Sequence, residues 1–230
     1  MYFQHAGEIW RDFPELVPGV LFAEGIRADV EVGPVVARYS AIAGERLATA
    51  SESELPEIQA WRRAFSRMGL KPTQYRCASE SLLRRFRKEG ALPAIHPLID
   101  LCNALSLAFA IPVAVLDVSQ IADFVEVRYA TGDERYLAFS GEMEHPDAGE
   151  VIFADGAGQA HARRWTNRQS ALSAVRDTTS SVLIVAEAMH ATAAGDVERL
   201  INTLGEGLGH VWSISSTSQV LSESSRTFAF

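Results

Sequence analysis

Three polar residues, spaced by three, interrupt an apolar stretch, and their types could support chemistry. Asp100, Asn103 and Ser106 stand within residues 97–109, which are otherwise almost entirely apolar. In a helix they would lie along one inclined stripe. A buried carboxylate or amide needs partners there, because an unpaired polar group costs on the order of 1–3 kcal/mol. These side chains either tie down neighbouring backbone or line a polar pocket where the helix meets a sheet. His96, directly before the stretch, is a candidate to join such a pocket.

A second candidate site is the segment 163–168, which holds three arginines, a tryptophan and an asparagine. Guanidinium groups bind phosphate or carboxylate, and an indole offers a face on which a base can stack. Arg164, Trp165 and Asn167 are therefore predicted to contact a substrate. Thr178 and the adjacent Thr179 are predicted to supply hydroxyl groups to the pocket. The alternative is that the segment is simply the solvated end of a strand.

Basic residues are concentrated between Trp61 and Lys88. This segment carries nine basic residues and one acidic residue, Glu80, so its net charge is +8 and the rest of the chain must carry −16 to give the total of −8. An acidic protein is no general nucleic-acid binder, but it can still present one basic face to RNA. The alternative is that the run forms the solvated sides of two helices. The residues predicted to bind RNA are Arg62, Arg63, Arg76, Arg84, Arg85, Arg87 and Lys88.

The periodicity of apolar residues indicates the elements that position these side chains. Helices are predicted at 34–50, 55–68, 79–89, 97–109 and around 197–204. Short strands are predicted at 113–116, 124–129, 135–139, 151–154, 160–165, 182–186 and 210–214. The helix over 97–109 is apolar nearly all round and should be buried. Helices cluster in the first half and strands in the second, which predicts an α+β fold rather than a doubly wound parallel sheet.

Length and composition narrow the class of protein. The chain has 230 residues, 47% hydrophobic and 22% charged, which is typical of a globular protein, and we expect a single domain over 1–230. Its two cysteines exclude a disulfide scaffold and a four-cysteine zinc site. No apolar run reaches the roughly 18 residues of a membrane span, and no signal-peptide pattern is visible, so we expect a cytoplasmic protein with no membrane partner. Motifs for phosphate-binding loops, serine hydrolases and zinc helices are absent, and neither a cofactor nor a metal is predicted.

Residues 90–103 and 111–117 resemble the B3/B4 domain, the editing domain of the phenylalanyl-tRNA synthetase β subunit. An Asp-x-x-Asn helix motif and a Pro-x-x-x-x-Asp strand motif carry the likeness, which extends over 55–190. The resemblance implies helices packed on an unusual β-sandwich, and an activity that hydrolyses a wrongly attached amino acid from tRNA. The chain departs from the family at Ala114, where the synthetase strand has a histidine, and at 92–93, where an arginine is expected.

The resemblance also implies a set of site residues. Glu187 corresponds to a glutamate late in the domain, and with Asn103, Asp100 and Thr178 it would position water beside an aminoacyl ester. Arg164 would lie near the phosphates of the acceptor end. Because the ester is already activated, no serine or cysteine nucleophile is required.

Three functions remain open at this point. The first is a deacylase that acts in trans on mischarged aminoacyl-tRNA. The second is a non-catalytic tRNA- or RNA-binding module of the same fold, for which the missing histidine and arginine argue. The third is a protein that binds or hydrolyses free amino-acid derivatives, which the acidic remainder of the chain would allow.

Overall fold

The computed structural model describes all 230 residues, Met1–Phe230. The helices are α1 (Gly7–Asp12), α2 (Gly33–Thr49), α3 (Pro56–Arg67), α4 (Ala78–Glu89), α5 (Pro97–Phe109) and α6 (Ala193–Trp212). The strands are β1 (Tyr2–His5), β2 (Val17–Glu24), β3 (Val113–Asp117), β4 (Phe124–Tyr129), β5 (Tyr136–Leu137), β6 (Met143–Glu144), β7 (Val151–Asp155), β8 (Ala160–Arg163), β9 (Arg168–Gln169), β10 (Ser181–Ala188), β11 (Ser216–Val220) and β12 (Thr227–Ala229). Two short 3₁₀ helices span Glu52–Glu54 and Val118–Gln120.

The strands form two main sheets and one small hairpin. The larger sheet has six strands in the order β12-β1-β4-β7-β8-β9, and the smaller has four in the order β11-β2-β10-β3. β5 and β6 pair only with each other. Every pairing is antiparallel except that of β1 with β4. The chain thus combines six α-helices with sheets that are mainly antiparallel, which confirms the predicted α+β fold.

The smaller sheet lies between two layers, and β10 shows this most clearly. Its side chains alternate, as they must along a strand. Leu183 and Val185 pack in the core shared with the larger sheet, whereas Ile184 and Ala186 pack in the core shared with α5 and α6. A strand buried on both faces is expected to be apolar, and β10 is so from Val182 to Ala186, whereas Glu187 near its end is charged and also buried.

Gly19, in the middle of β2, allows α6 to lie directly on the smaller sheet. A Cβ atom at this position would stand 2.5 Å from Ile201 Cγ1 and 2.6 Å from Val197 Cγ1, far inside ordinary contact distance. The absence of a side chain at Gly19 therefore sets the separation between the helix and the sheet.

The helix α5 is buried as its composition predicts, and its ends are fixed locally. His96 is the residue that caps its amino end, and Pro97 occupies the first turn, where a missing N–H costs nothing. At the other end, Ala110 adopts a left-handed conformation with φ of 56° and reverses the chain towards β3.

One predicted element is wrong. Residues 210–214 do not form a strand, because α6 continues to Trp212. Leu204, Leu208 and Trp212 recur at four-residue spacing and are all buried, so the apolar face of the helix extends one turn into the predicted strand. None of the six helices combines the length and apolarity needed to cross a bilayer.

Candidate functional site

The largest cavity relevant to the predicted site lies beside α5, between α2 and residues 90–96, and we name it the α2–α5 cavity. Its volume is about 620 Å³, and its walls are mainly apolar, with Val36, Phe86 and Leu107 among them. His96, Asp100, Asn103, Ser40 and Glu31 are the lining side chains that carry a polar or charged group, and neither lysine nor arginine is present in the lining. A concave, largely apolar space with a few convergent polar groups is the usual form of a ligand site.

Asp100 and Asn103 face this cavity from the first two turns of α5. Asp100 Oδ1 accepts a hydrogen bond from the backbone N–H of Ile95 at 2.9 Å, which fixes the segment that enters the helix. Asn103 lines the cavity one turn further on and makes no side-chain hydrogen bond within the protein. Asp100 thus ties down neighbouring backbone, which was one of the two alternatives for these residues. The Asn103 amide, in contrast, is free to bind a ligand.

His96 presents a buried hydrogen-bond donor without a partner. Its Nδ1 accepts the backbone N–H of Leu98 at 3.2 Å, which leaves the proton of the neutral ring on Nε2. Nε2 is buried and has no partner in the protein. Burial lowers the pKa of His96, although Asp177 and Asp100 oppose the shift. The ring is therefore neutral near pH 7 and carries an unused N–H group.

Ser106 does not belong to this cavity, so the predicted stripe of three polar side chains is wrong at its third member. Ser106 is buried, and its Oγ donates a hydrogen bond to the carbonyl oxygen of Ile111 at 2.6 Å. This bond closes the turn between α5 and β3, where buried backbone needs a partner.

Glu187 lies in a different place, which we name the Trp165 cleft. This cleft has a volume of only about 60 Å³ and is lined by Ala114, Trp165, Asn167 and Glu187, among others. The expectation that Glu187 converges with Asp100 and Asn103 is wrong. Its side chain leaves β10 on the face of Leu183 and Val185, towards the larger sheet, whereas Asp100 and Asn103 point from α5 towards α2.

The carboxylate of Glu187 is bound within the fold. Its Oε1 accepts hydrogen bonds from His5 Nε2 at 2.7 Å and from Trp165 Nε1 at 2.9 Å. The backbone carbonyl of Glu187 accepts a third, from Trp61 Nε1 at 3.2 Å. All four of these residues are buried. The arrangement ties the two sheets and α3 together.

The segment 163–168 approaches the cleft through a strained turn. Arg164 and Trp165 both adopt left-handed conformations, with φ of 47° and 58°, a region that costs a residue with a side chain about 1–2 kcal/mol. The Arg164 guanidinium lies 4.9 Å from the centre of the Tyr75 ring. Asn167 Nδ2 donates to the carbonyl oxygen of Arg76 at 2.7 Å. Thus Asn167 holds the loop before α4 and Trp165 is buried, while Arg164 and Asn167 are both partly exposed.

Thr178 does not reach either site. It stands on an exposed turn, and its neighbour Thr179 is the buried residue, with its hydroxyl donating to Asp117 Oδ2 at 2.6 Å. The predicted contribution of Thr178 to the pocket is therefore wrong, because the chain turns it outward.

Most of the basic run is paired with carboxylates. Glu80 is fully buried and binds Arg62 at 2.6 Å and Arg76 at 3.4 Å. Glu52, also buried, binds Arg84 at 3.0 Å and Arg87 at 2.9 Å. The count of +8 already includes Glu80, so these pairs hold four arginines in place, while Glu52 lowers the net charge of the predicted basic face by one.

The remaining members of the predicted face differ from one another. Arg85 pairs with Glu89 at 2.9 Å on the same helix, while Arg63 and Lys88 are exposed and have no carboxylate within ion-pair distance. Only Arg63 and Lys88, of the seven predicted RNA-binding residues, remain without an ion pair.

A serine–histidine–aspartate arrangement that the sequence analysis missed lies elsewhere in the chain. His161 Nδ1 stands 2.9 Å from Ser173 Oγ, and His161 Nε2 stands 3.3 Å from Asp155 Oδ2. His161 and Ser173 have no exposed surface. A substrate has no access to this serine, so the group ties the turn after β7 to the loop before β10.

The two cysteines are equally closed to chemistry. Both Cys77 and Cys102 are free and buried. Burial raises the pKa of the Cys77 thiol to about 11 and also raises that of Cys102, so neither forms the thiolate that a nucleophile requires. The described residues include no group of three or more His, Cys, Asp or Glu side chains that could hold a metal ion.

The comparisons with known proteins agree with this architecture. Residues 60–203 match the family model of the B3/4 domain, and the chain therefore belongs to the B3/4-domain family. This confirms the resemblance on which the sequence prediction rested. No curated protein sequence matches the chain.

A solved structure shares the fold at low sequence identity. The chain is similar to an N-terminal fragment of the phenylalanyl-tRNA synthetase β subunit from Pyrococcus horikoshii, with a TM-score of 0.50 and 10% identity. The match covers 93% of this chain and 49% of that fragment, so this chain spans about half of its length.

Proposed function

We propose that this chain binds the aminoacyl end of tRNA and hydrolyses the ester in trans. One observation carries the proposal: the α2–α5 cavity brings together His96, Asp100 and Asn103, three of the predicted site residues, in an apolar space of about 620 Å³. Membership of the B3/4-domain family supports tRNA as the source of the ester.

The side chains of the cavity suit hydrolysis without a covalent intermediate. Water attacks the ester carbonyl carbon, the bond from that carbon to the ribose oxygen breaks, and the ribose oxygen leaves with a proton. The His96 ring lines the cavity, and turning it would bring its buried Nε2–H group to the carbonyl oxygen, where it would stabilise the negative charge of the transition state. Asn103 holds the substrate, and the free oxygen of Asp100 holds either the substrate or the attacking water.

The tRNA body would bind mainly through exposed groups outside the cavity. Arg63 and Lys88 supply unpaired positive charge, and the partly exposed Arg164, stacked on Tyr75, offers a surface for a base or a phosphate. A tRNA substrate and two free thiols fit the cytoplasm, where we place the protein.

The test is deacylation of a panel of mischarged and correctly charged tRNAs. We expect at least one pair to be hydrolysed well above background, and Asn103→Ala to reduce the rate at least about tenfold, as the loss of one positioning or donor group does. Asn202→Ala, an exposed asparagine on α6, is the matched control and should retain the wild-type rate. A panel in which no tRNA is deacylated contradicts the proposal.

A second candidate is a tRNA-binding module without catalysis. The observation that favours it is the Trp165 cleft, where Ala114 replaces the family's histidine and where the Oε1 atom of Glu187 is already occupied by His5 and Trp165. Salt-dependent tRNA binding with no deacylation by the wild type would select this candidate.

A third candidate is a protein that acts on free amino-acid derivatives. The ion pairs that Glu52 and Glu80 make with four arginines favour it, because they engage four of the seven side chains predicted to bind RNA. Binding of small amino-acid derivatives in the absence of any affinity for tRNA would select this candidate.

A further inference from the structure

We propose that the α2–α5 cavity selects its occupant by charge. It accepts amino-acid derivatives that keep a free α-ammonium group and whose carboxyl group is esterified or amidated, and it rejects free amino acids and N-acylated derivatives. This inference rests on the proposed function, because it defines the substrate class of the same cavity.

The charges around the cavity are of one sign. Asp100 stands partly buried in the wall, and Glu31 stands exposed at the rim. Asp100 uses Oδ1 to accept the Ile95 N–H, and Glu31 uses Oε1 to accept the Gly33 N–H at 2.6 Å. Each carboxylate therefore keeps one oxygen without a partner, while the lining contains no lysine or arginine.

This one-sided charge discriminates between related ligands. An α-ammonium group gains a charge-assisted hydrogen bond from a free carboxylate oxygen. A free carboxylate would enter a partly apolar space beside Asp100 with no cation to neutralise it, which is costly. The neutral and buried His96 ring cannot supply the missing positive charge. An aminoacyl ester meets these conditions, whereas the free amino acid released by its hydrolysis does not.

The same walls indicate the kind of side chain that fits. Val36, Phe86, Leu92 and Leu107 contribute apolar surface to the lining. An aliphatic or aromatic amino-acid side chain buries its surface against them, whereas a charged one does not. We therefore infer that the substrate is an apolar aminoacyl ester with its amino group unblocked.

The experiment is calorimetric titration of the full chain with leucinamide and phenylalaninamide, which carry an α-ammonium group and no carboxylate. Titrations are made below about pH 7, where an α-amino group with a pKa near 8 is charged. We expect both amides to bind, and the free amino acids and the N-acetyl amides to bind at least about tenfold more weakly. Equal binding of amide and free acid overturns the inference, and so does the absence of amide binding.

Substitutions test which side chain of the cavity causes this selection by charge. Asp100→Asn keeps an oxygen that can accept the Ile95 N–H but removes the charge, and we expect it to weaken amide binding at least about tenfold. Glu45→Gln, an exposed charge on α2 outside the lining, is the matched control and should bind as the wild type does. Ser40→Lys places a cation in the lining and should shift the preference towards free amino acids. If Asp100→Asn and Ser40→Lys both retain the wild-type preference, the inference is overturned.

The results also separate the inference from the proposed function. Selective binding of amides by a protein that deacylates no tRNA would support the charge selection and contradict the hydrolase. Equal deacylation of aminoacyl-tRNA and N-acetyl-aminoacyl-tRNA would support the hydrolase and contradict the charge selection.

Discussion

The α2–α5 cavity and the Trp165 cleft both contain polar side chains in apolar surroundings, but they differ in their open space and in the hydrogen bonds of those side chains. In the cleft, Glu187 is bound by His5 and Trp165, and little open space remains. In the cavity, His96 Nε2 and the Asn103 amide have no partner within the protein. At the cleft, too, buried polar atoms lack partners, namely His5 Nδ1 and Thr166 Oγ1, but its volume is only about 60 Å³. His96 and the partly exposed Asn103 amide instead line a cavity of about 620 Å³, which has room for a ligand.

At the cleft, two successive residues of the backbone are strained. Arg164 and Trp165 hold two successive left-handed conformations, and the hydrogen bond from Trp165 to Glu187 helps to keep them there. These two strained residues belong to a structural junction, whereas the polar groups that line the cavity lie on the regular part of α5. Each of the following predictions would sharpen this contrast or break it.

The largest effect is expected from Glu187→Ala. It leaves the Trp165 indole N–H and the His5 ring without their shared acceptor, and we expect a loss of about 3 kcal/mol or more in the free energy of unfolding. Urea denaturation measures it. Glu187→Gln keeps an oxygen for Trp165 and should lose less. If Glu187→Ala keeps wild-type stability but abolishes deacylation, the cleft is the catalytic site and the contrast fails.

A much smaller effect on stability is expected from Asn103→Ala. The Asn103 amide makes no hydrogen bond inside the protein, so the free energy of unfolding should change by no more than about 0.5 kcal/mol, as is usual away from structural contacts. The same urea titration provides the measurement. A loss above about 2 kcal/mol would mean that Asn103 supports the fold and is not held available for a ligand.

His96→Asn should change the pH dependence of stability. Burial lowers the pKa of His96 in the folded chain, so as pH falls below about 6.5 the unfolded chain takes up a proton first. The stability contributed by the neutral ring is thus complete above about pH 6.5 and is lost as pH falls through the lower, folded-state pKa. Asparagine also caps helices but does not titrate, so Tm should fall less between about pH 7 and pH 5 in this variant.

The control for this measurement is His210→Asn, which changes an exposed histidine on α6 outside the cavity lining. It should retain the wild-type pH dependence. An identical pH dependence in His96→Asn and the wild type would show that the His96 ring is not held neutral by the cavity.

The smallest effect is expected on the basic surface. Replacing Arg63 and Lys88 together by alanine should weaken tRNA binding modestly and lower the slope of log affinity against log salt by about 1–2, since each phosphate contact contributes about 0.9. The fold should be unchanged.

Arg84→Ala, by contrast, removes one of the two partners of the buried Glu52 and should reduce stability. Arg84→Ala could instead lower the slope of log affinity against log salt more than the double variant does. That result would mean that the ion pairs with Glu52 break when RNA binds.

Features that depend on local periodicity could be predicted from the sequence, and features that depend on distant partners could not. The buried helix α5 follows from thirteen nearly all apolar residues, and the family likeness follows from motifs within 90–117. The fate of Glu187 could not be predicted, because its partner His5 lies 182 residues away along the chain. Neither could the pairing of Arg84 with Glu52, 32 residues earlier, since a count of charges does not show which of them meet.

The same limit applies to the candidate site. The three-residue spacing correctly placed Asp100 and Asn103 on one face, because the two are a single turn apart. It failed for Ser106, because a serine near the end of a helix is well placed to bind the backbone of the following turn. The packing of the two sheets decides which space a strand residue faces. For this reason Glu187 lines the Trp165 cleft and not the α2–α5 cavity.

Gly19 makes the contact between α6 and the smaller sheet sensitive to a single methyl group. An alanine there would push Ile201 and Val197 away, and with them the helix that covers one side of β2 and β10. The amide hydrogens of α6 would then exchange with solvent through an opening of the helix alone, while those of β4 and β7 in the other sheet would still exchange only on global unfolding. We therefore expect Gly19→Ala to separate the local opening of α6 from the global unfolding of the chain.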